Sequence, residues 1–181
     1  MKKFILSLLT GTLVSTTVAN SVNAKTLVAY FTLSGNTEKA AKKIQEQTGA
    51  DLYQIELVTP YPSEYKEQTK LAKEELQRGY LPPIKELPAN IKDYDVVFVG
   101  SPVWWGTVAT PVRTFLSSGV LAGKTVIPFV THGGGGADKS FSDTAELCKD
   151  CKVITKGWSG YSSFTLGLSG WVKETLQNLN K

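Results

Sequence analysis

The sequence predicts an α/β domain: a doubly wound sheet of five parallel strands with helices on both faces. Three observations carry that prediction. Two runs, Tyr94 to Gly100 (YDVVFVG) and Lys124 to Thr131 (KTVIPFVT), are apolar without alternation, the pattern of strands buried on both faces of a parallel sheet. Strand-like and helix-like stretches alternate from residue 25 onward, at the spacing of βαβ units with right-handed crossovers. The loops that follow the strand-like runs are rich in glycine and hydroxyls, and an open α/β sheet places its ligand at such loops.

Residues 1–24 read as a secretory leader rather than as part of this fold. Lys2 and Lys3 give a basic start, Phe4 to Val14 is mostly apolar and too short to span a bilayer, and Val22-Asn23-Ala24 ends in a small-residue cleavage pattern. No twin arginine precedes the apolar stretch, so export in the unfolded state is expected, and no cysteine there signals a lipid anchor. Cleavage near Ala24 leaves residues 25–181 as one domain, periplasmic or secreted. The leader carries two lysines and no acid, so the formal charge falls from +4 to +2. That charge is too small to suggest nucleic-acid binding, and no basic run is interleaved with aromatics. No later segment is apolar enough for stable membrane insertion. An exported compartment permits a disulfide.

The expected elements run as follows. Lys25 to Phe31 is the first strand, and Glu38 to Gln47 a helix with Ala40, Ala41 and Ile44 on one face, stopped by Gly49. Asp51 to Val58 alternates as a second strand, broken by Pro60 and Pro62. Ser63 to Arg78 is a charged, exposed helix, and Gly79 to Ala89, with three prolines, is a connection. Tyr94 to Gly100 is the third strand, Ser101 to Gly106 a loop, and Thr107 to Ser118 a helix with Pro111 in its first turn. Lys124 to Thr131 is the fourth strand and Asp138 to Cys148 a helix. Lys152 to Thr155 is a short fifth strand, and Leu168 to Leu179 a last amphipathic helix.

The loops after strands one, three and four belong together at the carboxyl end of the sheet. Thr32-Leu33-Ser34-Gly35-Asn36-Thr37 brings hydroxyls and backbone N–H groups to a helix start, a place that favours an anion. It holds no lysine or arginine, so a phosphate there rests on neutral donors and the helix end. A plain helix cap needs fewer such residues. Pro102-Val103-Trp104-Trp105-Gly106 sets two tryptophans side by side. Adjacent loop residues can face different ways, which leaves either ring free to stack on a flat ligand; alternatively both anchor the loop. Thr131-His132-Gly133-Gly134, followed by two more glycines, lets backbone approach a ligand closely. Together the three loops point to a flat, phosphate-bearing ligand.

These motifs resemble those of the flavodoxin family. LVAYFTLSGNT is similar to its first strand and phosphate loop. SPVWWGTVATPVRTFL and FVTHGGGG resemble the ring-binding loops of a subfamily with P-x-W-W-G and a glycine-rich third loop. The likeness covers about residues 25–155. It implies the flavodoxin-like strand order 2-1-3-4-5, flavin mononucleotide (FMN) as cofactor, and electron transfer with redox partner proteins. It also implies that Thr32, Leu33, Ser34, Gly35, Asn36 and Thr37 hold the phosphate. Pro102, Val103, Trp104, Trp105, Gly106, Thr131, His132, Gly133 and Gly134 would line the ring. The chain departs from cytoplasmic flavodoxins in its leader and in lacking a strongly acidic rim, which predicts a less negative flavin potential.

Cys148-x-x-Cys151 lies near the end of the fourth helix, not at the helix start that activates a thiolate. A structural disulfide or two free thiols is expected ahead of a catalytic dithiol. Too few Cys and His are present for a metal site. His132, the single histidine, has no nucleophile elbow to serve, and is either a ring neighbour or a polar loop residue. Neither a P-loop nor Gly-x-Gly-x-x-Gly occurs after the strands, which disfavours ATP and NAD as the held cofactor. Tyr61, Tyr65 and Tyr80 around the second helix either form a docking surface or pack, and packing is expected first. Three functions follow: an electron carrier first, an FMN-dependent reductase of quinones or sulfur compounds second, and a non-redox flavin-binding module third.

Overall fold

A computed structural model describes residues 24–179, so the expected leader lies outside the described residues except for Ala24. The chain forms β1 (Thr26–Tyr30), α1 (Asn36–Thr48), β2 (Asp51–Gln54), α2 (Tyr65–Arg78), β3 (Val96–Trp104), β4 (Thr107–Val108), α3 (Thr110–Ser117), β5 (Thr125–His132), α4 (Ala137–Leu147), β6 (Lys152–Val153), β7 (Trp158–Tyr161) and α5 (Leu168–Leu179). The sheet order is β2-β1-β3-β5-β6, parallel throughout. This is the expected 2-1-3-4-5 order, with β5 and β6 as its fourth and fifth strands.

Alternation along the central strands builds two cores. Leu27, Ala29, Val97 and Val99 point to one face and pack with Val112, Phe115 and Leu116 of α3. Val28, Tyr30, Phe98, Ile127 and Phe129 point to the other and pack with Ala40, Ala41 and Ile44 of α1 and Leu168 and Val172 of α5. Both faces of β3 and β5 are therefore buried, as their unbroken apolar runs require.

Several expected boundaries move for identifiable reasons. Ser101 to Trp104 are strand rather than loop, because Ser101 and Pro102 continue the parallel pairing with Val130 and Thr131, and Val103 and Trp104 pair antiparallel with Val108 and Thr107. The helix expected from Thr107 accordingly starts at Thr110, with Pro111 in its first turn. The second strand stops at Gln54, and Leu57 instead bridges antiparallel to Ile84 of the proline-rich connection. The second helix starts at Tyr65 rather than Ser63, and the first starts two residues early at Asn36. Strand β5 runs one residue past the expected Thr131, so that His132 closes the strand and the glycines alone form the loop.

The fifth strand comes in two pieces, and its second piece, β7, was not foreseen. β6 pairs with Thr125 and Val126, and β7 pairs with Phe129 to His132. Between them lies Pro128, whose carbonyl faces Gly157. Proline has no N–H to extend the ladder on that edge, so the neighbouring strand breaks there.

Cys148 and Cys151 are joined by a disulfide. It lies just before β6, at the amino end of the strands and opposite the ligand loops. Closing so short a loop restrains the unfolded chain by about 2 kcal/mol. Replacing both cysteines with serine is therefore expected to lower Tm by roughly 4–8 °C in thermal unfolding. An unchanged Tm would show that the bridge does not restrain the chain.

Candidate functional site

The first loop is shaped by its own side chains. The Thr32 hydroxyl accepts the Gly35 N–H at 3.0 Å. Gly35 is left-handed (φ 81) and occupies the N-cap of α1, which no side chain caps. The first-turn amides of α1 are thus left to an outside anion, with the helix dipole behind them. Leu33 and Ser34 are exposed, whereas Thr37 is fully buried. Its hydroxyl lies 2.8 Å from that of Thr131 at the end of β5, tying the first loop to the third.

The second loop is the tip of the β3–β4 hairpin. Trp104 pairs with Thr107, leaving Trp105 and Gly106 as a two-residue turn. Their φ values of 51 and 82 are both positive, as a type I′ turn demands. Such a φ is costly for a residue as bulky as tryptophan. The Trp105 indole N–H donates to the Thr69 carbonyl at 3.1 Å, and Lys73 Nζ sits 4.8 Å above the ring. Trp105 is nevertheless 56% exposed. Trp104 faces the other way. It is half-buried and meets Phe31 and Tyr61 edge-on, at 5.5 and 5.3 Å between ring centres. Ser101 fixes the approach to the hairpin, accepting the Ala109 N–H at 2.9 Å and donating to the Pro102 carbonyl. Thr107 donates to the buried Asp143 of α4, whose carboxylate also accepts Lys139 Nζ at 2.8 Å.

In the third loop, His132 Nδ1 accepts the Gly134 N–H at 3.1 Å. The proton of the neutral ring is therefore on Nε2. His132 also meets Tyr161 of β7 edge-on at 6.2 Å, and its carbonyl accepts the Ser162 N–H. Gly136 caps α4 with φ 87 and passes so close to the hairpin that a Cβ there would lie 2.7 Å from Val103 Cγ1 and 2.9 Å from Gly106 Cα.

All three expected loops therefore converge at the carboxyl end of the parallel strands. Three contacts connect them: Thr37 to Thr131, Phe31 to Trp104, and Gly136 to the hairpin. Of the three tyrosines expected to pack, Tyr61 does so against Trp104, while Tyr65 and Tyr80 are exposed. Tyr61 also bonds to Glu75 of α2, and burial, then the Glu75 hydrogen bond, push its phenol well above the usual range. Sequence reasoning passed over Glu75, although its place three residues after Ala72 puts it on the buried side of α2.

A flavodoxin model matches residues 25–174. The chain belongs to the flavodoxin family. Solved structures agree with that membership. A Bacteroides eggerthii protein assigned as a flavoprotein is 32% identical, with a TM-score of 0.72 over 83% of this chain and 97% of its own. A Bacteroides uniformis counterpart is 27% identical, with a TM-score of 0.74 over 83% and 98% of the two chains. A Lactobacillus acidophilus flavoprotein solved in complex with FMN is 27% identical, with a TM-score of 0.68 over 82% and 98%. This flavodoxin fold carries its loops where the family's sheet order puts a ligand, outside the carboxyl ends of β1, β3 and β5.

Proposed function

We propose that this flavodoxin holds FMN without a covalent bond at the three convergent loops and carries electrons between proteins outside the cytoplasm. The observation that supports FMN most strongly is the uncapped N-terminus of α1 beside the exposed Ser34, a site with neutral donors for a phosphate. The Lactobacillus relative bound to FMN supports the same ligand. FMN supplies the ring that accepts and donates electrons. The protein's own residues bind and orient it. Thr32, Ser34, Asn36 and the first-turn amides of α1 hold the phosphate; Thr32 also fixes the loop through the Gly35 N–H, and Thr37 through Thr131. Pro102 to Gly106 and Thr131 to Gly134 line the ring. His132 keeps a proton at Nε2, while its Nδ1 is engaged by Gly134.

A carrier needs its ring end open to a partner protein. Leu33, Trp105, Tyr161, Phe164 and Leu166 are all exposed, and all lie at or after the carboxyl ends of strands. This apolar rim suits transient docking. Export is supported by the leader-like first 24 residues and by the disulfide, a bond of oxidising compartments. Among the described residues, no helix is long and apolar enough to cross a membrane.

One feature favours a reductase as the second reading. A cleft of about 500 Å³ runs beside Trp105, lined in part by Lys73, Arg113 and Lys139 and by Asp143 and Glu146, with Arg113 and Lys139 both paired to Asp143. It would suit a small polar electron donor or acceptor.

The deciding experiment is a dithionite titration of protein lacking residues 1–24, mixed with FMN and followed by absorbance. Tight binding with two separate one-electron steps is expected. Tight binding with one two-electron step, together with turnover of a small donor, would move the protein to the reductases. Equal affinity for oxidised and reduced flavin without electron exchange would make it a binding module. No binding would overturn the FMN reading.

A further inference from the structure

We propose that Glu75 is a positioning residue that biases bound flavin toward its oxidised form, acting from behind Trp104. This role rests on the FMN reading above. α2 is a charged, mostly exposed helix, yet Glu75 is only 6% exposed. Burying a carboxylate is costly unless it is paired or fully hydrogen-bonded. Glu75 makes no ion pair among the described residues. Its Oε2 instead accepts the hydroxyls of Tyr61 and of Thr110, the latter at 2.6 Å. The two hydroxyl oxygens are themselves 2.6 Å apart.

The network joins three segments. Tyr61 lies in the connection before α2, Glu75 on α2, and Thr110 at the start of α3. Its outer member, Tyr61, packs edge-on against Trp104, and Trp104 against Phe31, the residue before the phosphate loop. Glu75 is therefore fixed behind the wall between the first and second ligand loops.

A glutamine would accept the same two hydroxyls without a buried charge. Packing alone therefore does not account for an acid here. A fixed negative charge behind the wall of a flavin site, in a poorly screening interior, opposes the arrival of an electron. It holds oxidised flavin more tightly than reduced flavin. The chain without the leader has a net charge of +2, so no excess of acidic groups supplies this field. Glu75 is an interior source of it.

The test compares FMN affinity in the oxidised and reduced states for wild type, Glu75→Gln and Tyr61→Phe, with unfolding curves as a check on folding. Glu75→Gln removes the charge and keeps an acceptor. Reduced FMN is expected to gain on the order of tenfold over oxidised FMN relative to wild type, which is about 30 mV for the two-electron couple between them. Tyr61→Phe keeps the charge and removes a donor that offsets it, so the ratio is expected to move the opposite way. Opposite shifts are what a field produces; a purely structural role would move both variants together. A wild-type ratio in Glu75→Gln, or equal shifts in both variants, overturns the role of Glu75 while leaving the FMN reading intact. If Glu75→Gln does not fold, an unchanged ratio in Tyr61→Phe overturns it. Failure of wild type to bind FMN overturns both.

Discussion

Alanine at both Thr32 and Ser34 is expected to weaken FMN about 100-fold while leaving riboflavin within roughly threefold. Riboflavin lacks the phosphate, and the two hydroxyls lie at the mouth of an uncapped helix with no lysine or arginine in the loop. Each hydrogen bond to a charged group contributes roughly 1.5–3 kcal/mol. Losing two such bonds gives about 3 kcal/mol at the lower bound, and each 1.4 kcal/mol is tenfold in affinity. Thr32 also holds the Gly35 N–H, so its loss relaxes the turn that presents the α1 amides. Titration of flavin fluorescence with FMN and with riboflavin measures the two losses side by side. Equal losses for both ligands would take the phosphate out of this loop.

What was legible in the sequence depended on how much each segment's own chemistry decided. β3 and β5 were legible because a run such as VVFVG can hardly be buried except on both faces. α5 fell at its expected bounds because its apolar set alone fixes the buried face. The position of the three loops followed from the strand pattern, and their ligand from resemblance. The hairpin after β3 was not legible. Type I′ turns announce themselves by Asn-Gly or Asp-Gly, and here Trp105 takes the left-handed position, held there by α2. β7 was missed because Trp158-Ser-Gly-Tyr is short, and its register depends on Pro128 in the neighbouring strand. Glu75 was hidden among the other charges of α2. Only the fold reveals the hydroxyls of Tyr61 and Thr110 that satisfy it. Each miss is a tertiary contact overriding local composition. All three lie at or directly behind the candidate site, β7 through Tyr161 against His132.

Gly136→Ala is expected to destabilise the protein by about 3 kcal/mol and to weaken FMN by at least about tenfold. Two costs add. At φ 87, an L side chain costs roughly 1–2 kcal/mol. The new Cβ would also lie 2.7 Å from Val103 Cγ1, 2.9 Å from Gly106 Cα and 3.2 Å from the Gly106 carbonyl carbon, and overpacking of this kind costs roughly 1–3 kcal/mol. Gly106 is backbone in a two-residue turn, and Thr107 beside it is anchored to Asp143, so the hairpin cannot yield cheaply. Either the start of α4 or the hairpin tip must move, and both adjoin the proposed ring site. Gly170→Ala, in α5 and away from the three loops, is the control. Its Cβ would meet nothing within 4 Å, and its φ is not positive. It is expected to keep wild-type FMN affinity and to gain at most about 1 kcal/mol of stability, as alanine for glycine in a helix does. Chemical denaturation and FMN titration of the two variants separate loop register from glycine content. If Gly136→Ala matches Gly170→Ala in both measurements, the close approach of the third loop to the hairpin is not what shapes the site. A selective loss at Gly136 would identify that approach as the contact holding the two ring-binding loops at their working distance.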